Sequence, residues 1–473
     1  MFSRWLTVLT ACAPVLSAQE TAFEKLLCPR FFVEGASPQK WSIAERMAHY
    51  KVPGVSVAIV RNGEIVFAQG YGVREAGKPD PVNPETVFQA ASISKPVAAA
   101  AALHMVQYGK LSLDEDVDAK LKGWKVPHSS FAASQKVTLR QLLSHTSGLG
   151  VRGFPGYRTT APVPTVVQVL NGEKPANTPA VKLELEPGSQ WRYSGGGYTV
   201  MQLLLTEQSG MSFPELTERM VLKPAGMKRS TYQQPLPEAW AANAARAHTA
   251  EGKPVEGGWH VYPEMAAAGL WTTPSDLARF AIDIWRSARP QSAGPPGNIL
   301  SREMARRMLT LEKGNFGLGL SLEGTGASSS FGHGGSNQGF KCQMVLFRES
   351  GNGAVIMTNG ELGGALHGEI LRAIAIAENW PDFQPQPFKP ATVSESQLKR
   401  YQGEYVLERL TVRITAAKTT LLASLPGGRQ AELVPESETR FRTLDGSLPV
   451  VVFTSSPGQM EIQVGDLKGI RTK

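Results

Sequence analysis

Cysteine is scarce, with three in 473 residues. Cys12 falls in the N-terminal stretch, which leaves Cys28 and Cys342 for the body of the chain. These two form no metal-ligand spacing, and their separation does not decide whether they pair in an oxidising compartment. The eight histidines form no HExxH pattern, and neither a GxxxxGK[ST] nor a GxGxxG loop occurs. Zinc-hydrolase and nucleotide-binding readings therefore lack their motifs, and neither metal nor cofactor is expected. Runs of one charge are also missing. The net charge of +8 comes from lysines and arginines scattered along the chain, so no nucleic-acid partner is indicated. Such a surface leans towards anionic partners, cell-wall polymers among them.

Long apolar runs are confined to the N-terminus. There, "MFSRWLTVLTACAPVLSAQE" has one positive charge, an apolar run from Trp5 to Leu16, and small residues at Ser17 and Ala18. This layout predicts a cleaved signal peptide over residues 1–18, hence a secreted or periplasmic protein, and no integral membrane span. "LTAC" resembles a lipoprotein box, but with eleven residues before Cys12 a lipid anchor is not expected.

What is present reads as a large domain followed by a small one. "GVSVAIVRNGEIVFAQGYG" alternates apolar and polar residues around Asn62-Gly63, the signature of a hairpin. Helices are predicted over Lys95–Tyr108, over "VTLRQLLSHTSGL" from a Thr138 cap to a stop near Gly148, over "YTVMQLLLTEQSG", and over "TPSDLARFAIDIWRSA". Strand character returns in "FGLGLSLEG", "KCQMVLFRES" and "GAVIMTNG", before a last helix from about Ala365 to Glu378. The pattern predicts an α+β fold, an antiparallel sheet flanked by helices whose last strands return beside the first. Four prolines near residues 381–392 mark a linker, and short alternating segments over 393–473 predict a small β-barrel or sandwich. Residues 19–380 then form the main domain.

Chemistry is suggested by "VFQAASISKPVAAAAALHMVQYGK". The spacing SxxK occurs three times, at Ser37/Lys40, Ser92/Lys95 and Ser396/Lys399, so the spacing alone means little. Only Ser92 stands at the start of a strong helix. There, i and i+3 share a face, free N–H groups suit a developing oxyanion, and apolar surroundings suit a lysine that must lose its proton to act as a base. "WRYSGGGY" offers Tyr193 as a proton shuttle just before a helix. "FGHGGSNQGF" offers His333 and then Gly334 and Gly335, a bare backbone against which a substrate can lie.

"SISK", "YSG" and "HGG" occur in the order of the three motifs of the serine β-lactamase and penicillin-binding superfamily. "LSLDEDV", "LRQLLSHTSGL", "LKPAGM", "AAAGLWTTPSDLARF" and "VIMTNG" resemble its class C branch, which includes β-lactamases, D-amino-acid peptidases and carboxylesterases. The resemblance covers roughly Lys51 to Glu378. It implies Ser92 as nucleophile, Lys95 as base, Tyr193 as general acid/base and His333 as the polar group of the third motif. It also implies an oxyanion hole from the N–H groups of Ser92 and Ser336, and Asn359 as a contact to a substrate acid group. The C-terminal module is similar to a lipocalin-like appendage on some members.

Two positions depart from the family pattern. Gly195 replaces an asparagine whose amide would bind a substrate amide, a loss of about 1 kcal/mol or more, which favours carboxylic esters over β-lactams or short peptides. His333 replaces a lysine, so anionic substrates are expected to bind less well at alkaline pH as a histidine of ordinary pKa, about 6.5, loses its charge. A Ser-His-Asp hydrolase on another fold is the competing chemistry, and it lacks a GxSxG elbow. A catalytically silent binding or sensor protein is the competing class.

Overall fold

A computed structural model of the chain describes residues 22–130, 136–408, 410–426, 430–456 and 458–472. The expected signal peptide and Cys12 lie outside the described residues.

Helix α1 (Ile43–His49), opened by a Ser42–Glu45 capping box, leads into the hairpin of β1 (Gly54–Arg61) and β2 (Glu64–Gly72). Its two-residue turn places Asn62 at φ 52° and Gly63 at φ 74°, the left-handed geometry that matches the twist of paired strands. The later strands β3 (Ser321–Glu323), β4 (Ser330–Asn337), β5 (Phe340–Phe347) and β6 (Gly353–Thr358) complete an antiparallel sheet in the order β2-β1-β6-β5-β4-β3. The last strand thus lies beside the first.

β1 is buried on both faces, and its period of two divides it between two cores. Val55, Val57 and Ile59 pack with α1 and the C-terminal helix of the domain, whereas Ala58 and Val60 join the larger core that continues into the helical layer. The centre of that layer is α2 (Ser94–Gln107), whose residues Val97 to Leu103 have no solvent exposure. A helix apolar all round is a buried helix, and its alanines let neighbouring helices approach closely.

α3 (Leu139–Leu143) carries the expected Thr138 cap, made reciprocal by Gln141. It stops earlier than Gly148 because His145 turns left-handed at φ 59°. α4 (Gly195–Ser209) is capped by Ser194, and α5 (Pro274–Ala288) by Thr273 with proline in its first turn. α6 (Gly363–Ala377) closes the domain. "FGLGLSLEG" contributes only its last part to the sheet, since left-handed Gly319 (φ 98°) breaks the run.

The proline-rich stretch is tied down. Gln386–Phe388 pairs in parallel with Phe31–Val33, Phe31 N–H donates to Leu444 O, and Arg442 lies over both Phe31 and Phe388. Beyond it, eight strands from Gly403–Leu407 to Leu467–Arg471 close into a barrel around Tyr405, Phe441 and Phe453. Cys28 and Cys342 are both buried and both free.

Candidate active site

Ser92 sits in a single 3-10 turn, Ala91–Ile93, which runs directly into α2. Ala91 before it is forced to φ 50°, a left-handed conformation costly for a residue with a Cβ and typical of positions where a tight turn must present a side chain. One turn on, Lys95 is 2% exposed; its Nζ donates to Ser92 Oγ at 3.1 Å and to Ala267 O at 2.8 Å. Among the described residues no carboxylate pairs with it. The ring faces of Tyr193 and Tyr198 lie 4.9 and 5.8 Å from Nζ.

Tyr193 comes from the segment before α4, and its ring packs against His145 with centroids 4.2 Å apart and planes inclined by 32°. His145, in the left-handed turn that follows α3, belongs to the site. It is buried, its Nδ1 accepts the Ser194 N–H at 3.1 Å, and burial together with the charge of Lys95 and the neighbouring His333 holds its pKa well below the usual value. It is therefore a neutral ring with its proton on Nε2, and it braces Tyr193.

His333 lies on β4, 6.1 Å from Tyr193 between ring centroids. Burial first, then Lys95, pulls its pKa down to about 4. The expected loss of charge between pH 5 and 9 is overturned, because the ring is already neutral across that range. Its Nδ1 is 2.6 Å from Gly334 O.

β3 pairs with β4 only at Ser330–Gly332, so the half of β4 from His333 to Asn337 is a free edge facing the turn of Ser92. The bareness of its two glycines has two different causes. A Cβ on Gly335 would come within 2.3 Å of Ala90 O, the backbone that leads into Ser92, whereas one on Gly334 would meet Gln343 Oε1 at 3.2 Å and Cys342 O at an ordinary 3.9 Å. Gly335 is thus required by the close approach of strand to turn. Ser336 follows on the same edge.

Asn359 is not brought to this site. It is fully buried, its Oδ1 accepts Gly54 N–H at 2.7 Å, and its Nδ2 donates to Arg74 O and Val73 O at 2.9 and 3.3 Å. The expected substrate contact is corrected to a structural bolt between β1 and the end of β6. Gly195 also differs from a simple missing side chain. Its Cβ would lie 3.0 Å from Phe154 and 3.1 Å from Arg152 O, so the Arg152–Phe154 segment fills the space beside it.

Ser92, Tyr193, His333 and Gly334 to Ser336 open on one trough of ≈ 870 Å³. The family model described as Beta-lactamase matches residues 42–379, which hold all of these groups.

The chain belongs to the Beta-lactamase family. This is a family of serine hydrolases. The chain is 26% identical to "Penicillin-binding protein 4*" of Bacillus subtilis (strain 168) over 417 residues, covering 82% of this chain and 87% of that protein. An octameric penicillin-binding protein homologue from Pyrococcus abyssi shares the fold with a TM-score of 0.62 and 23% identity, over 91% of this chain and 98% of that one. EstCE1, a hydrolase with promiscuous acyltransferase activity, does so with a TM-score of 0.56 and 20% identity, over 70% of this chain and 96% of that one.

Proposed function

We propose that this Beta-lactamase family member is an acyl-enzyme hydrolase with a preference for carboxylic esters. The observation that carries the reading is the buried amine of Lys95 held 3.1 Å from Ser92 Oγ. In the proposed cycle Ser92 Oγ attacks the carbonyl carbon while its proton passes to Lys95, and the N–H groups of Ser92 and Ser336 receive the oxyanion. Collapse breaks the ester C–O bond, and the departing alcohol takes a proton from Tyr193, which Lys95 replenishes. Water then attacks the acyl-enzyme by the same relay in reverse. The ester preference rests on position 195, where glycine offers no side-chain amide and the Arg152–Phe154 segment packs 3.0–3.1 Å from where a Cβ would stand. Export by the N-terminal apolar run belongs to the same proposal.

The test is intact-mass analysis of the protein with a fluorophosphonate, a labelled penicillin and p-nitrophenyl esters, with Ser92→Ala as control. Ester turnover and fluorophosphonate capture, both lost in Ser92→Ala, are expected. Persistent penicillin labelling without turnover would instead make the protein a binder or sensor, and capture that survives Ser92→Ala would end the mechanism.

A further inference from the structure

From the nucleophile the trough runs across β4 and β5 to one face of α6 and ends at the segment before the barrel. Its α6 wall is made by Gly364, His367, Gly368, Leu371 and Arg372, at the i, i+3, i+4, i+7 and i+8 spacing of a single helix face. A Cβ on Gly364 would meet nothing within 4 Å, so the floor there is open. On Gly368 it would lie 3.3 and 3.8 Å from the two Nη atoms of Arg372, which places that guanidinium back over the bare turn and inside the trough.

Arg372 is an unusual residue in this position. It is 8% exposed, and its Nε donates to Cys28 O at 2.9 Å, yet among the described residues no carboxylate pairs with it. Glu369, one turn earlier, is taken by Arg46 through two hydrogen bonds of 2.7 Å and by Tyr50 at 2.7 Å. Arg30 lines the same end; burial first, and last the charge of Arg30, lower the pKa of Arg372, against Cys28 and Glu369, which raise it. Among the other charged groups of the trough, Lys341 is matched by Glu361, while Glu323, bonded to Asn315, and Asp382, which accepts Phe383 N–H, keep their charges and are outnumbered by Arg30, Arg152 and Arg372. A buried cation whose neighbouring carboxylate, Glu369, is already committed to Arg46 and Tyr50 is incompletely compensated, and an anion arriving in the trough would reduce that cost.

We propose that the trough recognises extended substrates bearing a carboxylate that reaches Arg372 and Arg30, on the order of 15 Å from the scissile carbonyl, the length of about four residues of extended chain. This is a rough sum of one strand spacing, about 4.8 Å, and the helical rises of about 1.5 Å each from Gly364 to Arg372. This rests on the hydrolase reading of Ser92 and gives it a substrate class.

Two probe pairs test it, one for each direction in which a substrate can lie. The first is the p-nitrophenyl hemiester of dodecanedioic acid against its methyl-capped diester. The second is the acetyl ester of 12-hydroxydodecanoic acid against its carboxamide, followed by chromatography. In one pair or the other, kcat/KM for the anionic member should exceed that of the neutral one by tenfold or more, and Arg372→Gln should reduce this ratio to within about twofold. The p-nitrophenyl hemiester of succinic acid, too short to span the trough, should show no such preference. Arg372→Gln removes an incompletely compensated buried charge together with the bond to Cys28 O, so its Tm should change little; if it does not fold, exposed Arg30→Gln carries the test with a reduced ratio. No preference in either pair, or one that survives both substitutions, overturns the inference. If fluorophosphonate fails to modify Ser92 in the unaltered protein, the hydrolase reading falls first; if it does modify Ser92 while the ratios stay flat, only the anion site falls.

Discussion

Gly335→Ala is the most direct probe of how the fold sets the reactive serine. The added methyl would sit 2.3 Å from Ala90 O, and since Cβ contacts essentially never fall below 3.0 Å, strand and turn must separate by about 0.7 Å. Neither side yields easily. Ala90 N is held by Leu270 O at 2.8 Å, and Gly335 is paired with Cys342 in the register of β4 and β5. The strain should destabilise the protein by about 1–3 kcal/mol. It should also pull Ser92 away from the edge strand by most of an ångström, and misplacement on that scale costs about a hundredfold in rate. The assay is kcat/KM for p-nitrophenyl acetate beside the rate of fluorophosphonate capture, with thermal unfolding to separate stability from placement. Gly334→Ala, opposed only by the end of the Gln343 side chain at 3.2 Å, should lose less than tenfold. If Gly335→Ala keeps activity within threefold, β4 does not position the serine.

Three further outcomes are expected. Replacing Lys95 by methionine should lower the rate of Ser92 acylation by about 10²- to 10⁴-fold while the fold is kept, read by timed mass spectrometry. Glu264 is buried among Tyr157 and Tyr262, and burial raises its carboxyl to about 7, so its neutral form is the one the fold favours. The associated stability is complete below pH 4.5 and lost as pH rises through about 7, so Glu264→Gln should raise stability at pH 8 by about 3 kcal/mol and change little at pH 4.5, by urea unfolding at both. His333 and His367 carry the opposite sign. Burial lowers each to about 4, so their contribution is complete above pH 6.5 and lost as pH falls towards 4. Through pH 5 to 9 the charge on His333 should not affect kcat/KM for anionic esters; a titration near 6.5 that disappears in His333→Gln would contradict its burial.

Features set by neighbours in sequence were legible without coordinates. The Asn62-Gly63 turn, the Thr138 and Thr273 caps and the alanine-rich α2 each depend on local backbone preference and on one periodicity. Features made by residues far apart were not. Asn359 is consumed by Gly54, 305 residues away, which a motif cannot reveal. The histidine that braces Tyr193 arrives from another helix end, and the pKa of His333 is set by burial, which one sequence does not display. The approach of Gly335 to Ala90 likewise exists only once β4 is laid beside the serine turn. The serine and lysine were visible because the single turn of chain entering α2 is enough to bring them together.

The short parallel ladder between Phe31–Val33 and Gln386–Phe388 has a consequence for how the two parts of the molecule communicate. Phe31 is bonded to Leu444 of the barrel, Arg442 of the barrel caps both aromatic rings, and Asp382, Phe383 and Gln386 form the end wall of the trough. Any force that lifts the barrel must therefore peel the same strand that shapes the distal pocket. Loosening the appendage and altering the preferred length of the substrate would then be a single event.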